Sequence, residues 1–179
     1  MGNRKVILYI SMSLDGFIAR QNDDIEWLSL VEKKGEDYGY NEFYNTIDTV
    51  IMGRRTYEKV LSFGIDFPHR NKKCFVFSSA KTFIDPYVTF VDQSPEIWLK
   101  KYKTTEGGDI YCDGGATLVH TLLKYGLIDE MVISIIPILL GEGKRLFSRH
   151  LPENSVKLIN SNTFDTGLVQ LTYKILIKK

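Results

Sequence analysis

The stretch Asp109-Ile-Tyr-Cys-Asp-Gly-Gly-Ala-Thr-Leu-Val-His-Thr-Leu-Leu-Lys-Tyr-Gly-Leu127 joins a short apolar run to a helical pattern through two glycines. The first four residues have the length and character of a buried strand. After the glycines, apolar residues recur at helical spacing at positions 118, 119, 122, 123 and 127, and Gly126 suits a helix C-terminus. The stretch predicts a strand, a tight turn and an amphipathic helix.

The same strand-to-helix pattern occurs earlier in the chain. Apolar runs that predict buried strands occupy Val6–Met12, Asp48–Met52, Lys73–Phe77 and Thr89–Val91. The second run leads into a helix-compatible segment, residues 56–61, and the last leads into Ser-Pro-Glu at residues 94–96, a typical helix start. Strands that alternate with helices in this way form parallel sheets covered by helices.

Downstream of Leu127 the pattern changes to strands without helices. Met131–Ile136 is β-branched and apolar, Gly141-Glu-Gly143 marks a turn, and Leu168–Ile177 alternates as a half-exposed strand does. The sequence therefore predicts an α/β fold with a mostly parallel, twisted central sheet, antiparallel C-terminal edge strands and flanking helices. No linker or repeat divides the chain, so we expect residues 1–179 to form a single domain.

The composition excludes several classes of partner. Lys plus Arg total 23 against 22 Asp plus Glu, which leaves no strong field to attract nucleic acid or an anionic membrane. No segment approaches the roughly 18 apolar residues of a membrane span, and the start lacks the features of a secretory signal. We expect a cytoplasmic protein with neither a nucleic-acid nor a membrane partner.

The cysteines and histidines predict neither a disulfide nor a metal site. Cys74 and Cys112 lie in apolar runs, where free cysteine commonly serves as a small hydrophobic residue. No pair among the 3 histidines has the spacing of metal ligands.

The turn after the second strand, Gly53-Arg-Arg-Thr56, has the residues of an anion site. Gly53 allows the backbone to approach a phosphate, Arg54 and Arg55 offer forked donors, and Thr56 adds a hydroxyl at a helix start. The alternative is a solvated basic turn in which Arg55 pairs with a nearby acid such as Glu58.

Two further strand ends have residues that suit phosphate binding. Ser78 and Ser79 follow the third strand and suit a monoester phosphate, or alternatively cap the segment that follows. The Gly114-Gly115 pair lacks the third glycine of the usual dinucleotide fingerprint. Two glycines before a clearly predicted helix can still form a pyrophosphate-binding site at the helix N-terminus.

The order and spacing of these motifs resemble a known family. Ser11-Met-Ser-Leu-Asp-Gly-Phe-Ile-Ala19, Ile51-Met-Gly-Arg-Arg-Thr-Tyr-Glu58, Val76-Phe-Ser-Ser79, Tyr111-Cys-Asp-Gly-Gly-Ala116 and Ile128–Phe147 are similar to dihydrofolate reductases. They resemble still more the C-terminal reductase domain of the bifunctional deaminase-reductase of riboflavin biosynthesis. The resemblance implies the three-layer fold of dihydrofolate reductase and an NADPH-dependent reductase with a small-molecule substrate.

The resemblance also implies roles for individual residues. The segment from Gly53 to Thr56 would hold the adenosine-side phosphates of NADPH, with Ser78 and Ser79 near the 2′-phosphate. Gly114-Gly115 would pass close to the pyrophosphate, with a cis peptide as one possibility. N–H groups of Ala116 and Thr117 would bind there. The loop from Leu14 to Ala19 would cover the nicotinamide, which makes Asp15, Gly16 and Ile18 neighbours of the hydride.

Some positions depart from the family pattern. In riboflavin-pathway reductases a lysine that helps to hold the substrate usually follows the Ser-x-Asp-Gly turn, whereas here Phe17 takes that place, so the phosphoribosyl substrate is in doubt. Trp27 resembles the tryptophan that precedes the pterin-binding acid of dihydrofolate reductases, and Glu32 is a candidate for that acid or an exposed surface charge. No zinc-binding deaminase domain precedes the reductase motifs, so we expect no deaminase activity.

The source of the proton for an imine-type acceptor has three candidates: Asp15, Glu142 and Tyr57. Asp15 and Glu142 have structural alternatives as turn residues. The aromatic residues Tyr38, Tyr40, Phe43 and Tyr44 could stack on a heterocycle or pack their segment onto the sheet.

Three functional hypotheses follow. The first is an NADPH-dependent oxidoreductase that reduces a small heterocyclic or carbonyl/imine-type substrate, resembling 5-amino-6-(5-phosphoribosylamino)uracil reductase. The second is a non-catalytic NADP(H)-binding sensor or assembly subunit, and the third is a true dihydrofolate reductase. The resemblance implies a homodimer, for which the C-terminal strands offer one surface.

Overall fold

The computed structural model describes residues 4–79 and 84–176. Within these ranges the strands are β1 (Val6–Ser13), β2 (Phe17–Ala19), β3 (Ile47–Gly53), β4 (Lys73–Phe77), β5 (Val88–Val91), β6 (Asp109–Gly114), β7 (Glu130–Ile136), β8 (Lys144–Arg145), β9 (Ser155–Thr163) and β10 (Val169–Leu176). The α-helices are α1 (Tyr40–Thr46), α2 (Arg54–Leu61), α3 (Pro95–Tyr102) and α4 (Ala116–Lys124), and a 3₁₀ helix covers Glu26–Val31.

Eight strands form one sheet in the order β5-β4-β3-β6-β1-β7-β10-β9. The first six are parallel to their neighbours, and β1 lies in the middle, with Val6 opposite Ile110 of β6 and Ile7 opposite Glu130 of β7. β10 is antiparallel to both β7 and β9. This topology confirms the predicted α/β fold with its antiparallel C-terminal edge.

Helices cover both faces of the sheet because the central strands are buried on both sides. Successive residues of β3 point to opposite faces: Ile51 packs in one hydrophobic cluster with Leu122 of α4, and Met52 packs in another with Tyr57 of α2. A strand of this kind has no polar face, which explains its continuous apolar sequence. The result is a three-layer arrangement of helix, sheet and helix.

Several elements differ from the sequence prediction. The α1 helix and β9 were not predicted, because α1 has no buried residue and all nine residues of β9 are exposed. The short β2 and β8 strands pair with each other in a separate sheet. The C-terminal strand runs from Val169 to Leu176 in place of the predicted range of residues 168–177, and Ile177 lies outside the described residues.

The aromatic residues around α1 divide between two roles. The Phe43 ring stacks on the Tyr9 ring of β1 with centroids 4.6 Å apart, and its edge contacts the Tyr111 ring of β6 at 5.1 Å. Tyr40 packs beside Phe43 and also lines a cleft described below. The segment therefore both packs on the sheet and contributes to the cleft wall.

A buried arginine joins three strands at the end of the sheet opposite the cleft. Arg4 precedes β1 and is 3% exposed. Its guanidinium donates hydrogen bonds to the Gly108 carbonyl at 2.6 Å and the Thr49 hydroxyl at 2.8 Å, and it pairs with Asp48. The guanidinium carbon lies 4.8 Å from the centroid of the Tyr102 ring. These contacts link the amino-terminal ends of β1, β3 and β6.

The described part of the chain contains neither a helix that could span a membrane nor a cluster of side chains that could hold a metal ion. Among residues 4–79 and 84–176, none of the helices combines the length and hydrophobicity needed to cross a membrane. Within the same ranges, no group of three or more His, Cys, Asp or Glu side chains is placed to hold a metal ion.

Candidate active site

A cleft with a volume of about 770 Å³ opens at the carboxyl ends of the parallel strands. Its lining includes Tyr9 of β1, Gly53 at the end of β3 and Asp113 of β6. The helices α2 and α4 begin directly after β3 and β6, and their first residues also line the cleft. This edge of an open α/β sheet is where ligands bind, because helix N-termini present free N–H groups there.

The β3–α2 turn brings the predicted basic residues to the cleft. Gly53, Arg54, Arg55 and Thr56 all line it. Arg54 pairs with Glu58, with 2.6 Å between Nε and Oε1. The alternative of an ion pair between Arg55 and Glu58 was therefore wrong, because Glu58 pairs with Arg54. The exposed Arg55 side chain has no ion-pair partner among the described residues and is available to a ligand.

The β6–α4 turn lies against the β3–α2 turn. The Gly114–Gly115 peptide bond is cis, which the family resemblance raised as a possibility. A Cβ atom on Gly115 would lie 3.1 Å from the Thr56 hydroxyl, closer than side chains normally approach. Gly115, Ala116 and Thr117 line the cleft, whereas Gly114 is buried behind them. Glycine at position 115 thus keeps the two turns in contact.

Ser78 and Ser79 lie beside the cleft but do not line it. Ser78 is 9% exposed, and its N–H donates to the Val91 carbonyl at 3.1 Å. Ser79 is exposed. Phe77, the residue before them, does line the cleft. The two serines are therefore at its border.

Only part of the loop from Leu14 to Ala19 reaches the cleft. Ile18 and Ala19 line it. Asp15 instead accepts hydrogen bonds from the Ser13 hydroxyl and from the N–H groups of Leu140 and Gly141. Burial raises the pKa of Asp15, but these hydrogen bonds outweigh it and hold the pKa below its ordinary value. Asp15 thus stabilises a turn and does not line the cleft, where a catalytic role would require it.

Gly16 and Phe17, two more predicted site residues of this loop, do not line the cleft. Gly16, with φ of +87°, closes the turn through an N–H bond to the Ser13 carbonyl at 2.9 Å and does not line the cleft. Phe17 is 4% exposed, and the Arg145 guanidinium lies 4.5 Å from its ring centroid. The Phe17 ring, predicted to contact the substrate, is thus buried under Arg145 and does not line the cleft.

The structure places Tyr57, Glu142 and Trp27, three more predicted site residues, outside the cleft lining. The Tyr57 ring is 1% exposed, and its hydroxyl donates to Asp85 at 2.7 Å, away from the cleft lining. Glu142 is exposed in its turn and lines no cavity described here. Trp27 is 4% exposed and packs with Val31 in the core. None of the three is placed to contact a ligand in the cleft.

Two carboxylates line the cleft, Asp23 and Asp113, and the sequence did not identify Asp113 as catalytic. Tyr111 donates a hydrogen bond to Asp113 Oδ1 at 2.6 Å, and His69 Nε2 lies 3.7 Å from Asp113 Oδ2. His69 is 4% exposed, and its Nδ1 lies 3.1 Å from the Tyr44 hydroxyl. Asp113 thus connects the cleft to Tyr111 and His69, and through His69 to Tyr44, all of which are side chains that can carry protons.

Tyrosines around Asp113 are held in their neutral form. Burial, followed by the charge of Asp113, raises the pKa of Tyr40 and of Tyr111. Burial raises the pKa of Tyr44 to about 12. The phenols therefore remain hydrogen-bond donors throughout the neutral range.

A second cavity of about 460 Å³ adjoins the cleft. The two share Tyr9, Ser11, Ile25, Leu28 and Tyr40 in their linings. The 3₁₀ helix forms one wall of the second cavity, and the exposed Glu32 lies on its rim. Glu32 thus faces a cavity, but it is not buried.

The chain matches a known protein family and has similar relatives. Residues 4–170 match the RibD C-terminal domain family. An uncharacterised protein, YwjB of Bacillus subtilis (strain 168), is 41% identical over 171 residues, which cover 95% of this chain and 97% of YwjB.

Two solved structures have a similar fold. A protein of Shewanella sp. PV-4, provisionally assigned to riboflavin biosynthesis, is 32% identical and superposes with a TM-score of 0.88 over 97% of this chain and 99% of its own. Dihydrofolate reductase of Enterococcus faecalis, complexed with NADP(H), is 15% identical with a TM-score of 0.67 over 97% and 98% of the two chains. The fold is that of dihydrofolate reductase, and the chain belongs to the RibD C-terminal domain family.

Proposed function

We propose that this protein is a cytoplasmic, NADPH-dependent reductase of a small heterocyclic substrate with an imine-type or carbonyl acceptor. The observation that carries the proposal is that one cleft combines two helix N-termini, two glycine turns and four basic side chains. The RibD family supports an oxidoreductase of the riboflavin-biosynthesis type. The free, buried Cys74 and Cys112 are compatible with a reducing compartment.

The residues of the cleft fit a dinucleotide phosphate. Gly53 and Gly115 leave backbone accessible where the two turns meet, and the first turns of α2 and α4 offer N–H groups without helical partners. Arg55 and Lys59 add positive charge that no carboxylate of the described residues neutralises. We propose that Ser78 and Ser79, at the border of the cleft, bind the 2′-phosphate that distinguishes NADPH from NADH.

NADPH, when bound, supplies a hydride, and the acceptor must then gain a proton from this chain. Two carboxylates line the cleft, but Asp23 forms an ion pair with Lys144. Asp113 has no Lys or Arg partner among the described residues and lies 3.7 Å from His69 Nε2, so we propose that its carboxylate takes a proton from His69 and passes it to the acceptor. Tyr44 and Tyr111 hold His69 and Asp113 in position. The walls formed by Ile18, Ile25 and Leu28 exclude water from the reacting atoms.

Isothermal titration with NADPH and NADH tests the cofactor assignment. We expect NADPH to bind at least about tenfold more tightly, roughly 1.4 kcal/mol. Arg55→Ala should remove most of that preference, because Arg55 is the unpaired guanidinium of the cleft. Arg70→Ala is the matched control, since Arg70 is an exposed arginine that pairs with Asp66 outside the cleft. Absence of binding by either dinucleotide would refute the reductase assignment.

We also propose that the protein is a homodimer that uses the β9 edge. β9 has one hydrogen-bonded neighbour, β10, and exposes Val156, Leu158 and Ile159. A long edge strand with apolar side chains is protected most simply by pairing with a second copy. Sedimentation equilibrium should give twice the chain mass for the native protein and a monomer for Ile159→Lys. A native protein that sediments as a monomer would contradict the proposal.

A further inference from the structure

We propose that the second cavity binds the substrate and that its charge selects a neutral or cationic heterocycle over one that carries a phosphate. This inference rests on the proposed reductase function and narrows its substrate class.

The second cavity is placed to deliver a ligand to the cleft. Five residues line both spaces, among them Tyr9 and Ser11 on β1 and Leu28 on the 3₁₀ helix. A molecule held in the second cavity therefore extends directly into the space beside Asp113. With about 460 Å³, the cavity has room for a one- or two-ring compound with a short substituent.

The rim of the second cavity is acidic. Glu26, Glu32, Glu36 and Asp37 line it, against the single ammonium group of Lys33. Lys33 is already bound to Asp165, with 2.6 Å between Nζ and Oδ2. Backbone hydrogen bonds from Asn41 and Gly39 hold the pKa of Asp37 below its ordinary value, so this carboxylate remains ionised. A phosphate at the rim would meet carboxylates without a free counter-charge among the described residues.

The basic side chains lie in the other space. Arg54, Arg55 and Lys59 line only the cleft, where the phosphates of the cofactor require them. The site is therefore divided by charge into a basic part for the dinucleotide and an acidic part for the substrate. Once the cofactor occupies the basic part, a phosphorylated substrate finds repulsion in the remainder.

The floor of the second cavity suits a polar heterocycle. Gln170 Nε2 donates to the Tyr9 hydroxyl at 3.0 Å and lies 3.2 Å from Ser134 Oγ, and Tyr9 donates to the Tyr38 carbonyl at 2.9 Å. Tyr9, Ser134 and Tyr38 line the cavity, so these neutral groups face its contents. Leu28, Val31, Ile136 and Leu168 provide apolar walls for the faces of a ring. Hydrogen bonds from ring amides and amines fit this floor without any charge.

A pair of probes that differ only by phosphate tests the proposal. 5-Amino-6-(ribosylamino)uracil and its 5′-phosphate are titrated into the protein saturated with NADP⁺, which fills the basic part of the site. We expect the nucleoside to bind at least about tenfold more tightly than its phosphate, and the difference to shrink at high salt. Tighter binding of the phosphate, equal binding, or no binding of either probe would overturn the proposal.

Charge reversal on the rim provides the second arm of the test. Glu26 and Glu32 are exposed and form no side-chain hydrogen bonds among the described residues, so Glu26→Lys/Glu32→Lys should fold normally. The double variant should improve binding of the phosphate about tenfold and leave NADPH affinity within twofold. Glu106→Lys, an exposed site that lines neither space, controls for net charge and should change neither value. If the rim variants bind the 5′-phosphate no better than the native protein does, the charge argument is wrong. Failure of the native protein to bind NADPH would refute only the cofactor assignment.

Discussion

An Asp113→Asn variant is expected to lose about 100-fold in kcat for NADPH oxidation with 5-amino-6-(ribosylamino)uracil as acceptor. Asparagine has the same shape and still accepts the Tyr111 hydrogen bond, but its amide cannot take up a proton and pass it on. Because the amide leaves the glycine turns unchanged, the affinity for NADPH should stay within twofold. The measurement is steady-state NADPH absorbance with the acceptor at saturation, combined with titration of the cofactor.

Two checks separate loss of the proton donor from loss of structure. Asp92→Asn removes an exposed carboxylate outside the cleft and should retain full activity. Spectrophotometric titration should show that Tyr40 and Tyr111 ionise at lower pH in Asp113→Asn, because the charge of Asp113 raises both pKa values after burial. An unchanged kcat together with the shifted tyrosine titration would show that Asp113 is correctly located but supplies no proton.

Replacing Arg4 with alanine should destabilise the protein by about 3 kcal/mol, since it removes the counter-charge of Asp48 and the hydrogen-bond donor to the Gly108 carbonyl and leaves a cavity where a buried side chain packed. For a chain of this size the expected decrease in Tm is roughly 10 °C. Urea unfolding followed by circular dichroism measures the change in free energy. The cleft lies at the other end of the sheet, so NADPH affinity at low temperature should be preserved.

The matched control for Arg4 is Arg20, which pairs with Asp24 in an exposed i, i+4 arrangement. Arg20→Ala should cost less than about 1 kcal/mol, because solvent screens an exposed pair. The Arg4/Asp48 double variant should recover part of the loss from Arg4→Ala, since it removes the unpaired charge as well. A cost below about 1 kcal/mol for Arg4→Ala would contradict the structural role assigned to this residue.

The sequence predicted the parts of the fold whose burial leaves a local pattern. The apolar run of β1 and the helical spacing of Leu118 and Leu122 could be recognised because each element buries its own residues. β9 could not be recognised, because its Ser-Val-Lys-Leu-Ile-Asn-Ser-Asn-Thr sequence is exposed throughout and its apolar residues do not alternate with burial. The α1 helix begins after a glycine with φ of +80° and buries none of its seven residues.

The residues of the candidate site could likewise be predicted only in part. The glycine and arginine turns lie at strand ends, so position along the chain was enough to find them. The pair formed by His69 and Asp113 depends on two loops meeting in space, and no spacing rule joins these residues in the sequence. The position of Asp15 could not be predicted, because a turn carboxylate and a catalytic carboxylate look alike in sequence, and only the hydrogen bonds from Leu140 and Gly141 show that Asp15 holds a turn.

The central place of β1 in the sheet has a consequence during protein synthesis. β1 precedes every other strand in the chain, yet its partners are Ile110 in β6 and Glu130 in β7. At about 5–20 residues per second, a ribosome needs roughly 5 to 20 seconds to reach the first of them. Throughout that interval the apolar β1 segment has no partner strand on its own nascent chain. Translation is therefore the stage at which this protein most needs chaperones to prevent aggregation.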